Sequence, residues 1–286
     1  DFHVDIAVKT HKEVDYDLIG FHGQTIYHNA DEKISKQIGL GDHLSKETKK
    51  TVVYDFRQND LKNGGEGAPL SPIYHLALFK FLFKSNKVKI PITILNIGGI
   101  ANITEIDKDF NISSADIGPG NCLIDMWIRK NSKKFYDENG NLAKKGKIDK
   151  FIFEQYLDNY YYSKINTKRS LDTNDFDVSF AKGLSFENGT TTITELTSEL
   201  LSKKIGYNDI YVCGGGRKNE FLINFLKNKI KNKLFMIDDL NIDGDYIESQ
   251  AFAFLAIRSF LNLPISFPST TNCKKPSIGG KICKVS

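Results

Sequence analysis

The sequence predicts an α/β fold, because short β-branched strand segments alternate with helical segments and because glycine turns directly follow several strands. Its 286 residues are enough for two domains. A hydrophobic content of 40% and a charged content of 26% are ordinary for a globular protein with packed cores. In open α/β folds, ligands bind outside the carboxyl ends of the strands, so the glycine turns are the first places to look for function.

Composition argues against several classes of protein. The net charge of +4 comes from 39 basic and 35 acidic residues and is too small and scattered for a nucleic-acid surface. The basic run Lys227–Lys233 continues a helical pattern, and we interpret it as a solvated helix face. The four cysteines lack CxxC spacing, which argues against disulfides or zinc and favours a reducing cytoplasm. No apolar stretch approaches the roughly 20 residues that span a bilayer.

In the first third of the chain, β-branched residues assign the strands and apolar residues three and four apart assign the helices. The predicted elements are a helix already under way at the first residues, a strand at Leu18–Gly20, a polar loop at Phe21–Thr25, a strand at Thr51–Tyr54, a long loop at 55–68, a helix at Pro69–Phe83 and a strand at Pro91–Ile97.

The rest of the chain continues the alternation. The predicted elements are a helix at Asn121–Lys130 with Asn121 as its N-cap, irregular helical insertions over 131–175, an amphipathic helix at Thr190–Ile205, a strand at Ile210–Cys213, a helix at Asn219–Ile230, a strand at Leu234–Ile237 and an apolar helix at Tyr246–Leu261, which we expect to be buried.

The segment Asn96–Asn102 joins two strands through Gly98 and Gly99. Glycine lets backbone N–H groups approach a phosphate closely because no Cβ intervenes. A tight turn whose residues need a positive φ explains the two glycines equally well, so this motif alone leaves both interpretations open.

A second turn, Asp116–Asn121, places a carboxylate just before a helix start. Helix starts favour anions, so Asp116 could hold a proton or lie near a phosphate. An aspartate that only binds turn N–H groups is slightly favoured when the motif is taken alone. Asp125 lies within the following helix, and we interpret it as structural.

The triple glycine Gly214–Gly216 follows a strand and precedes Asn219. Its spacing is wrong for a dinucleotide-binding motif. The turn suits a flat adenine against the backbone or a crowded strand–helix connection, and neither interpretation is favoured.

Polar residues at other strand ends are weaker candidates. Arg57 could bind a carboxylate in bidentate fashion, and the loop His22–Thr25 interrupts two apolar segments. Glu248 sits near a helix start, where capping is the simpler interpretation. All six histidines lie at or before residue 75, so chemistry in the second half needs a carboxylate base. Motifs of serine hydrolases, zinc proteases and P-loop enzymes are absent from the sequence.

Taken together, these motifs resemble the anhydro-N-acetylmuramic acid kinase family of the sugar kinase and actin superfamily. The resemblance covers nearly the whole chain in order. The matching segments are Ile19–Thr25, Thr51–Arg57, Gly64–Leu70, Leu95–Asn102, Gly118–Asn121, Val212–Gly216 with Asn219, and Glu248 before Ala251–Ala256.

The resemblance implies a two-lobed actin/sugar-kinase-like fold with ribonuclease H-like lobes. It also implies a kinase that uses ATP and Mg²⁺ to phosphorylate O6 of 1,6-anhydro-N-acetylmuramic acid while water opens the anhydro bridge at C1. The product would be N-acetylmuramic acid 6-phosphate, in cell-wall recycling and amino sugar metabolism. The expected partners are the small-molecule sugar, ATP and a second copy in a homodimer.

The family pattern also implies roles for individual residues. Asp116 would be the base that activates the water, and Glu248 would help to hold the sugar or that water. The other implied contacts are His22, Gln24, Thr25 and Arg57 with the sugar, Asn96, Gly98 and Gly99 with phosphate, and Gly214, Gly215 and Asn219 with adenosine. No residue of the chain is assigned as a metal ligand.

The chain departs from the family pattern at three places. Ile117 replaces a threonine and Glu66 replaces a glutamine. A first strand with a Gly-Thr-Ser-x-Asp-Gly phosphate loop is also absent from the sequence, so we expect lobe one to lack its first strands. A non-catalytic binding fragment, or a kinase for another sugar acid, therefore stays open as an alternative. The expected domains are residues 1–90 for lobe one, 91–264 for lobe two and 265–286 returning to lobe one.

Overall fold

The chain folds as two compact units. The computed structural model describes residues 2–163 and 170–284. Unit 1 comprises Asp1–Leu82 with Glu248–Ser286, and unit 2 comprises Phe83–Ile247. Each unit carries its own sheet and helices, which confirms the predicted α/β class.

Unit 1 is built on a small mixed sheet. Its elements are α1 (Phe2–Glu13), β1 (Leu18–Phe21), β2 (Gln24–Asn29), β3 (Ile34–Ile38), α2 (Gly41–Thr48), β4 (Thr51–Tyr54), α3 (Gln58–Lys62) and most of α4 (Pro72–Lys84). Strand β4 lies in the centre, parallel to β1 and antiparallel to a strand from the end of the chain. Strands β2 and β3 form a separate antiparallel hairpin.

Unit 2 contains a five-stranded sheet. Its elements are β5 (Ile92–Ile97), β6 (Ile100–Ile106), β7 (Ile112–Pro119), α5 (Cys122–Asn131), α6 (Lys150–Tyr162), α7 (Phe186–Ser202), β8 (Asp209–Cys213), α8 (Glu220–Lys229) and β9 (Leu234–Met236). The strand order is β7-β6-β5-β8-β9, with β5–β7 antiparallel and β8 and β9 added in parallel. This is the strand order expected for a ribonuclease H-like lobe.

One face of this sheet forms the core of unit 2. Leu95 and Ile97 of β5 pack with Ile103 of β6 against the apolar faces of α5 and α7, and all of these positions are buried. Because side chains alternate along a strand, the neighbouring residues of β5 and β6 lie on the opposite face. That second face carries the polar residues of the candidate site.

The chain ends in unit 1. The remaining elements are α9 (Ile247–Phe260), α10 (Pro268–Thr271) and β10 (Lys281–Cys283), the strand that pairs with β4. Helix α9 crosses β1 closely, because a Cβ on Gly20 would lie 2.6 Å from the carbonyl oxygen of Phe252. Residues 248–264 therefore group with unit 1, and the units divide after residues 82 and 247 where we expected 90 and 264.

Several elements differ from the sequence-based assignment. Helix α3 lies in the segment 55–68 that we expected to be a loop, and β2 begins within the loop predicted at Phe21–Thr25. Strand β3 and helix α2 lie between the predicted elements, where mostly polar residues give little apolar periodicity. Helix α7 starts four residues early, at Phe186, since the Ser185 side chain accepts the N–H of Asn188. Helix α9 is only half-buried, and Ile257 and Phe260 are exposed.

The crossing of α9 over β1 predicts a stability cost at Gly20. Replacing Gly20 with alanine puts a methyl group against the Phe252 carbonyl, and we expect the free energy of unfolding to fall by about 1–3 kcal/mol. Gly215→Ala is the matched control, because a Cβ there meets no atom within 4 Å. Urea unfolding that gives equal stabilities for the two variants would contradict the close crossing.

Candidate active site

The Gly98–Gly99 turn is tied to the start of α5 by backbone hydrogen bonds. The Asn121 N–H donates to the Gly98 carbonyl at 2.7 Å, and the Gly120 and Cys122 N–H groups donate to the Gly99 carbonyl at 2.9 and 3.1 Å. Each peptide is planar and trans, so the Gly99 N–H points away from the Gly98 carbonyl and hence away from α5. The exposed turn thus presents an amide on its outer side.

These bonds change the interpretation of the α5 start. The N–H groups of Asn121, at the N-cap, and of Cys122, the first helical residue, are taken by the glycine carbonyls, so these two amides are engaged within the protein rather than directed at a ligand. Asn121 occupies the N-cap position, but its side chain makes no capping bond. Instead its Nδ2 donates to the carbonyls of Ile97 and Gly98, at 3.3 and 3.1 Å. The predicted side-chain cap is therefore wrong, because the Asn121 side chain is turned toward the carbonyls that end β5 rather than toward the amides of the first helical turn.

Neither Gly98 nor Gly99 has a positive φ, so the tight-turn explanation of the glycines is wrong. A Cβ on Gly98 would meet its nearest atom at 3.3 Å, and a Cβ on Gly99 would meet Thr173 at 3.4 Å. Packing within the described residues therefore gives only a weak reason for glycine at this turn. An open backbone suited to close approach by a ligand is the remaining physical explanation.

The triple glycine after β8 divides into crowded and open positions. Gly214 has φ +81, and a Cβ there would lie 2.3 Å from Oδ1 of Asn96. A Cβ on Gly216 would lie 2.2 Å from Ile97 Cγ2. Gly215 is exposed, lacks a positive φ and would meet no atom within 4 Å. Gly214 and Gly216 thus fit the crowded strand–helix connection, while Gly215 offers an open backbone surface, and an adenosine contact at this turn stays a prediction.

Asn219 caps α8 through its side-chain oxygen. Oδ1 accepts the Leu222 N–H at 3.0 Å, and the residue is only 6% exposed. Its carbonyl-type oxygen is therefore engaged in a helix cap. An adenosine contact by Asn219 stays a prediction.

The sequence analysis missed Arg217, which holds this turn in place. Its guanidinium forms a bidentate pair with Asp238 at 2.7 and 3.1 Å, bonds Asp245 at 2.7 Å and donates to the Gly214 carbonyl at 3.1 Å. The hydrogen bonds that Arg217 donates to the carboxylates of Asp238 and Asp245 raise the pKa of Arg217 above its already high ordinary value. The signal in the sequence was a basic residue directly after the glycines, close in chain order to an aspartate-rich segment.

Asp116 lies on the polar face of the unit 2 sheet. It pairs with Asn102 across β6 and β7, next to a register shift that leaves Ile117 as an extra residue. Such β-bulges redirect side chains and are frequent beside active sites. One carboxylate oxygen accepts the Leu171 N–H at 2.8 Å, so a segment of the predicted insertion orients the carboxylate.

Ile117 is 4% exposed and belongs to the core of unit 2. Its replacement of threonine therefore changes the buried side of β7, where a hydroxyl would lack access to a ligand. Asp125 pairs with Arg129 at 3.4 Å, and burial raises the pKa of Asp125 to about 6. This partner supports its structural role.

In unit 1 the structure brings His22 and Arg57 together. Arg57 Nε donates to His22 Nε2 at 3.1 Å, and Arg57 Nη1 donates to the Gly67 carbonyl at 2.8 Å. His22 Nδ1 lies 2.9 Å from the Gly23 carbonyl. Arginine can only donate and a carbonyl can only accept, so His22 is the neutral tautomer protonated at Nδ1. Its ring packs on Phe252 with a centroid separation of 4.2 Å.

The loop that carries Gly67 is fixed by a buried carboxylate, which the sequence analysis also missed. Asp60 is 1% exposed and accepts the Gly67 N–H and the Thr271 hydroxyl, each at 2.7 Å. Glu66 in the same loop accepts the Asn272 amide at 2.6 Å. The carboxylate that replaces glutamine thus has a donor within unit 1.

The other sugar-side candidates are less defined. Thr25 lies on β2, where its hydroxyl accepts the Gln37 amide at 3.2 Å, and Gln24 is exposed. Glu248 is exposed in the first turn of α9. An acidic residue at this position is favoured by the positive end of the helix dipole. It belongs to unit 1 and Asp116 to unit 2, so the two predicted catalytic carboxylates are carried by different units. Their roles stay predictions.

Unit 2 has the strand order of the sugar kinase and actin superfamily, with glycine turns at the ends of its strands. These features define the class to which the protein belongs. The sequence model of the family described as anhydro-N-acetylmuramic acid kinase matches residues 5–284. The chain therefore belongs to that family, which makes it a phosphotransferase and confirms the resemblance drawn from the sequence.

Individual relatives agree with this assignment. An anhydro-N-acetylmuramic acid kinase of Pelagibacter ubique is 49% identical over 99% of this chain and 78% of its own length. One from Zymomonas mobilis is 41% identical over 93% of this chain and 72% of its own. One from Rhizobium johnstonii is 39% identical, with 92% and 72% covered. Among the described residues, no helix is long and apolar enough to cross a membrane.

The His22–Arg57 contact predicts an unusual titration. Burial, and then the nearby Arg57 charge, lower the pKa of His22 to about 4, so the ring stays neutral through pH 6. In Arg57→Gln the charge is lost but burial stays, so the His22 pKa should rise and remain below the ordinary 6.5. Ring ¹⁵N NMR measures this, with Arg129→Gln in unit 2 as the control. A wild-type ring that titrates near 6.5 would contradict the contact.

Proposed function

We propose that this chain is an ATP-dependent kinase that opens the bridge of 1,6-anhydro-N-acetylmuramic acid with water and phosphorylates O6. The product is N-acetylmuramic acid 6-phosphate, which returns cell-wall material to amino sugar metabolism. Because the reaction uses ATP, we place it in the cytoplasm. The observation that carries the proposal is the end of the unit 2 sheet at which β5, β7 and β8 finish, where an oriented carboxylate on β7 lies on the same sheet as two open glycine turns, one after β5 and one after β8.

Two features support nucleotide binding. Gly99 and Gly215 both expose backbone with no positive φ and with little or no steric need for glycine. Gly98, Gly99 and Asn96 would hold the phosphates, and Gly214, Gly215 and Asn219 would lie along adenosine. When bound, ATP supplies the phosphoryl group that is transferred.

Magnesium ions in kinases are bound mainly by the nucleotide phosphates and water, with one or two carboxylates. Among the described residues, no group of three metal-ligating side chains could hold a metal on its own. We therefore assign Mg²⁺ to the nucleotide and derive no step from a protein metal site.

The role proposed for Asp116 follows from its protonation chemistry. An ionised carboxylate accepts a proton from water as the water oxygen bonds to C1 and the C1–O6 bond breaks. O6 keeps the electron pair of that bond and becomes the oxygen that accepts the phosphoryl group. The Leu171 N–H holds the carboxylate in a fixed orientation, which favours the deprotonated form.

On the sugar side, Arg57 is suited to the lactyl carboxylate. Its Nη1 is used by the Gly67 carbonyl and its Nε by His22, so the guanidinium is held in a fixed plane. His22, Gln24 and Thr25 would line the same sugar, and Glu248 would hold the sugar or the water. These contacts follow from the family pattern and from the fixed geometry around Arg57.

One prediction tests Asp116 as the base that activates the water. Asp116→Asn keeps the size of the side chain and removes its basicity, so turnover should fall by at least about 10²-fold while ATP binding is unchanged. Turnover is measured as N-acetylmuramic acid 6-phosphate formed, and ATP binding by calorimetry. Asp125→Asn, an equal change at a partly buried aspartate of α5, should retain most activity. Near-normal product formation by Asp116→Asn would refute the assignment.

Another prediction tests whether adenosine lies along the turn Gly214–Gly216. Gly215→Val fills space that is open in the protein, so stability should be unchanged. If adenosine lies along this turn, the added side chain should raise the KM for ATP about tenfold, equivalent to about 1.4 kcal/mol. The KM for the sugar serves as the internal reference. An unchanged KM for ATP would place adenosine elsewhere.

A further inference from the structure

Asp116 is one end of a polar row that crosses four strands of the unit 2 sheet. Asp116 of β7 pairs with Asn102 of β6, Asn102 pairs with Asn96 of β5, and Asn96 pairs with Cys213 of β8. Directly paired residues project from the same face of a sheet. Asn96 and Asn102 lie on the face opposite the core, since their neighbours Leu95, Ile97 and Ile103 form that core.

Asn102 lies between the two functional ends of this row. Strands are about 4.8 Å apart, so Asn96 and Asp116 are separated by roughly 10 Å, too far for a direct hydrogen bond. Paired side chains have Cβ atoms about 4.5–5.5 Å apart, which puts the Asn102 amide within reach of both neighbours. The row thus connects the strand that ends in the phosphate turn with the carboxylate.

The Asn102 side chain carries an unsatisfied acceptor. Its Oδ1 is buried and has no hydrogen-bond partner within the part of the chain that the structure describes. A buried acceptor without a donor is unfavourable, because it has given up its hydrogen bonds to water without replacing them. Rotation of an amide by half a turn exchanges its oxygen and nitrogen with almost no change of shape.

The two neighbours decide which end of the amide belongs where. The Asp116 carboxylate can only accept when ionised, so it requires the NH₂ end of Asn102. Asn96 Oδ1 already faces the Cys213 thiol, with Sγ at 3.8 Å, which leaves the Asn96 amide nitrogen to act as the donor toward Asn102. With the Asn102 amide turned in this way, Cys213, Asn96 and Asn102 would each donate toward the next residue of the row, which ends at Asp116.

We propose that Asn102 is a positioning residue for Asp116: its amide donates to the carboxylate, keeps it ionised and links it to Asn96 beside the phosphate turn. A hydrogen bond to the charged form of a carboxylate stabilises that form. Together with the Leu171 N–H, the amide would hold the carboxylate from two elements, β6 and the 171 segment. In calling Asp116 the base, the proposal rests on the proposed function.

Two further carboxylates lie in the described segment that follows Leu171. Asp172 accepts the Asn174 N–H at 2.8 Å, and Asp175 accepts the Asp172 N–H at 2.9 Å. On the strands, Glu105 of β6 lies three residues beyond Asn102 and so projects from the core-facing side of the sheet. The variants below leave all three carboxylates in place.

The test measures the pKa of Asp116 directly, by carboxyl ¹³C NMR on the purified protein without substrates, with the signal assigned through Asp116→Asn. Asn102→Ala should raise the pKa of Asp116 by roughly 0.5–1 unit, because a donor is lost. Asn102→Asp keeps the side-chain size but places a second carboxylate opposite the first, so it should raise the pKa further. The control is Ser114→Ala, on the same strand as Asp116, which removes the hydroxyl bond from Ser114 to the Ile103 carbonyl of β6 and should leave the pKa of Asp116 unchanged.

Activity gives the second readout. In Asn102→Ala, kcat should fall about tenfold, with the acid limb of kcat/KM moved to higher pH and the KM for ATP unchanged. A purely structural role would lower stability without moving the acid limb. An Asp116 pKa in both Asn102 variants equal to that of the wild type would overturn the positioning role.

The two proposals fail in different ways. If the pKa shifts as expected but the wild-type protein does not act on the anhydro sugar, the proposed function fails and the positioning of Asp116 stands. If the wild type is active and neither Asn102 variant changes the pKa, the proposed function stands and the positioning role fails.

Discussion

The hydrogen bonds between the Gly98–Gly99 turn and the start of α5 are the constraint on which the candidate site depends. The turn ends β5, and the segment that it binds, Gly120 with Asn121, directly follows β7. Gly120 allows this approach, since a Cβ there would lie 2.3 Å from the Gly98 carbonyl oxygen. The phosphate turn and the strand that carries Asp116 are thereby locked together by backbone atoms, independently of any side-chain rotamer.

This arrangement matters because phosphoryl transfer depends mainly on positioning. The second glycine turn, Gly214–Gly216, is fixed by the hydrogen bonds and ion pairs of Arg217. Arg217 is buried, and burying a cation is unfavourable unless its donors are satisfied. Here Asp238 and Asp245 compensate the charge, and the guanidinium still donates to the Gly214 carbonyl. Both open glycines, Gly99 and Gly215, therefore lie in turns whose neighbouring atoms are held rigidly.

The sequence predicted the parts of the fold that are strongly periodic. Strand β4 was placed at the observed residues, and the strands β1, β5, β8 and β9 within one residue at each end, because β-branched segments bounded by polar residues leave little choice. The hairpin β2–β3 and the helix α2 were missed, since their mostly polar residues show little apolar periodicity and their formation depends on tertiary context.

For the candidate site, sequence patterns identified residues but not their partners. The pairing of His22 with Arg57 joins positions 35 residues apart, and the bond from Leu171 to Asp116 spans 55 residues. No sequence motif indicates the roles of Asp60, Asn102 and Arg217. These roles depend on burial for Asp60, on strand register for Asn102 and on the carboxylates that pair with Arg217. The register of β5, β6 and β7 alone reveals that Asn102 separates Asn96 from Asp116.

The central claim is that the phosphate turn Gly98–Gly99 and the base Asp116 lie at the same end of the unit 2 sheet. A crystal structure of the protein with a non-hydrolysable ATP analogue and 1,6-anhydro-N-acetylmuramic acid tests it most directly. The account predicts phosphate oxygens within about 3 Å of the Gly99 amide, and a water molecule hydrogen-bonded to Asp116 that faces C1 of the sugar. Phosphates bound away from the Gly98–Gly99 turn, or an Asp116 carboxylate without access to the sugar, would contradict it.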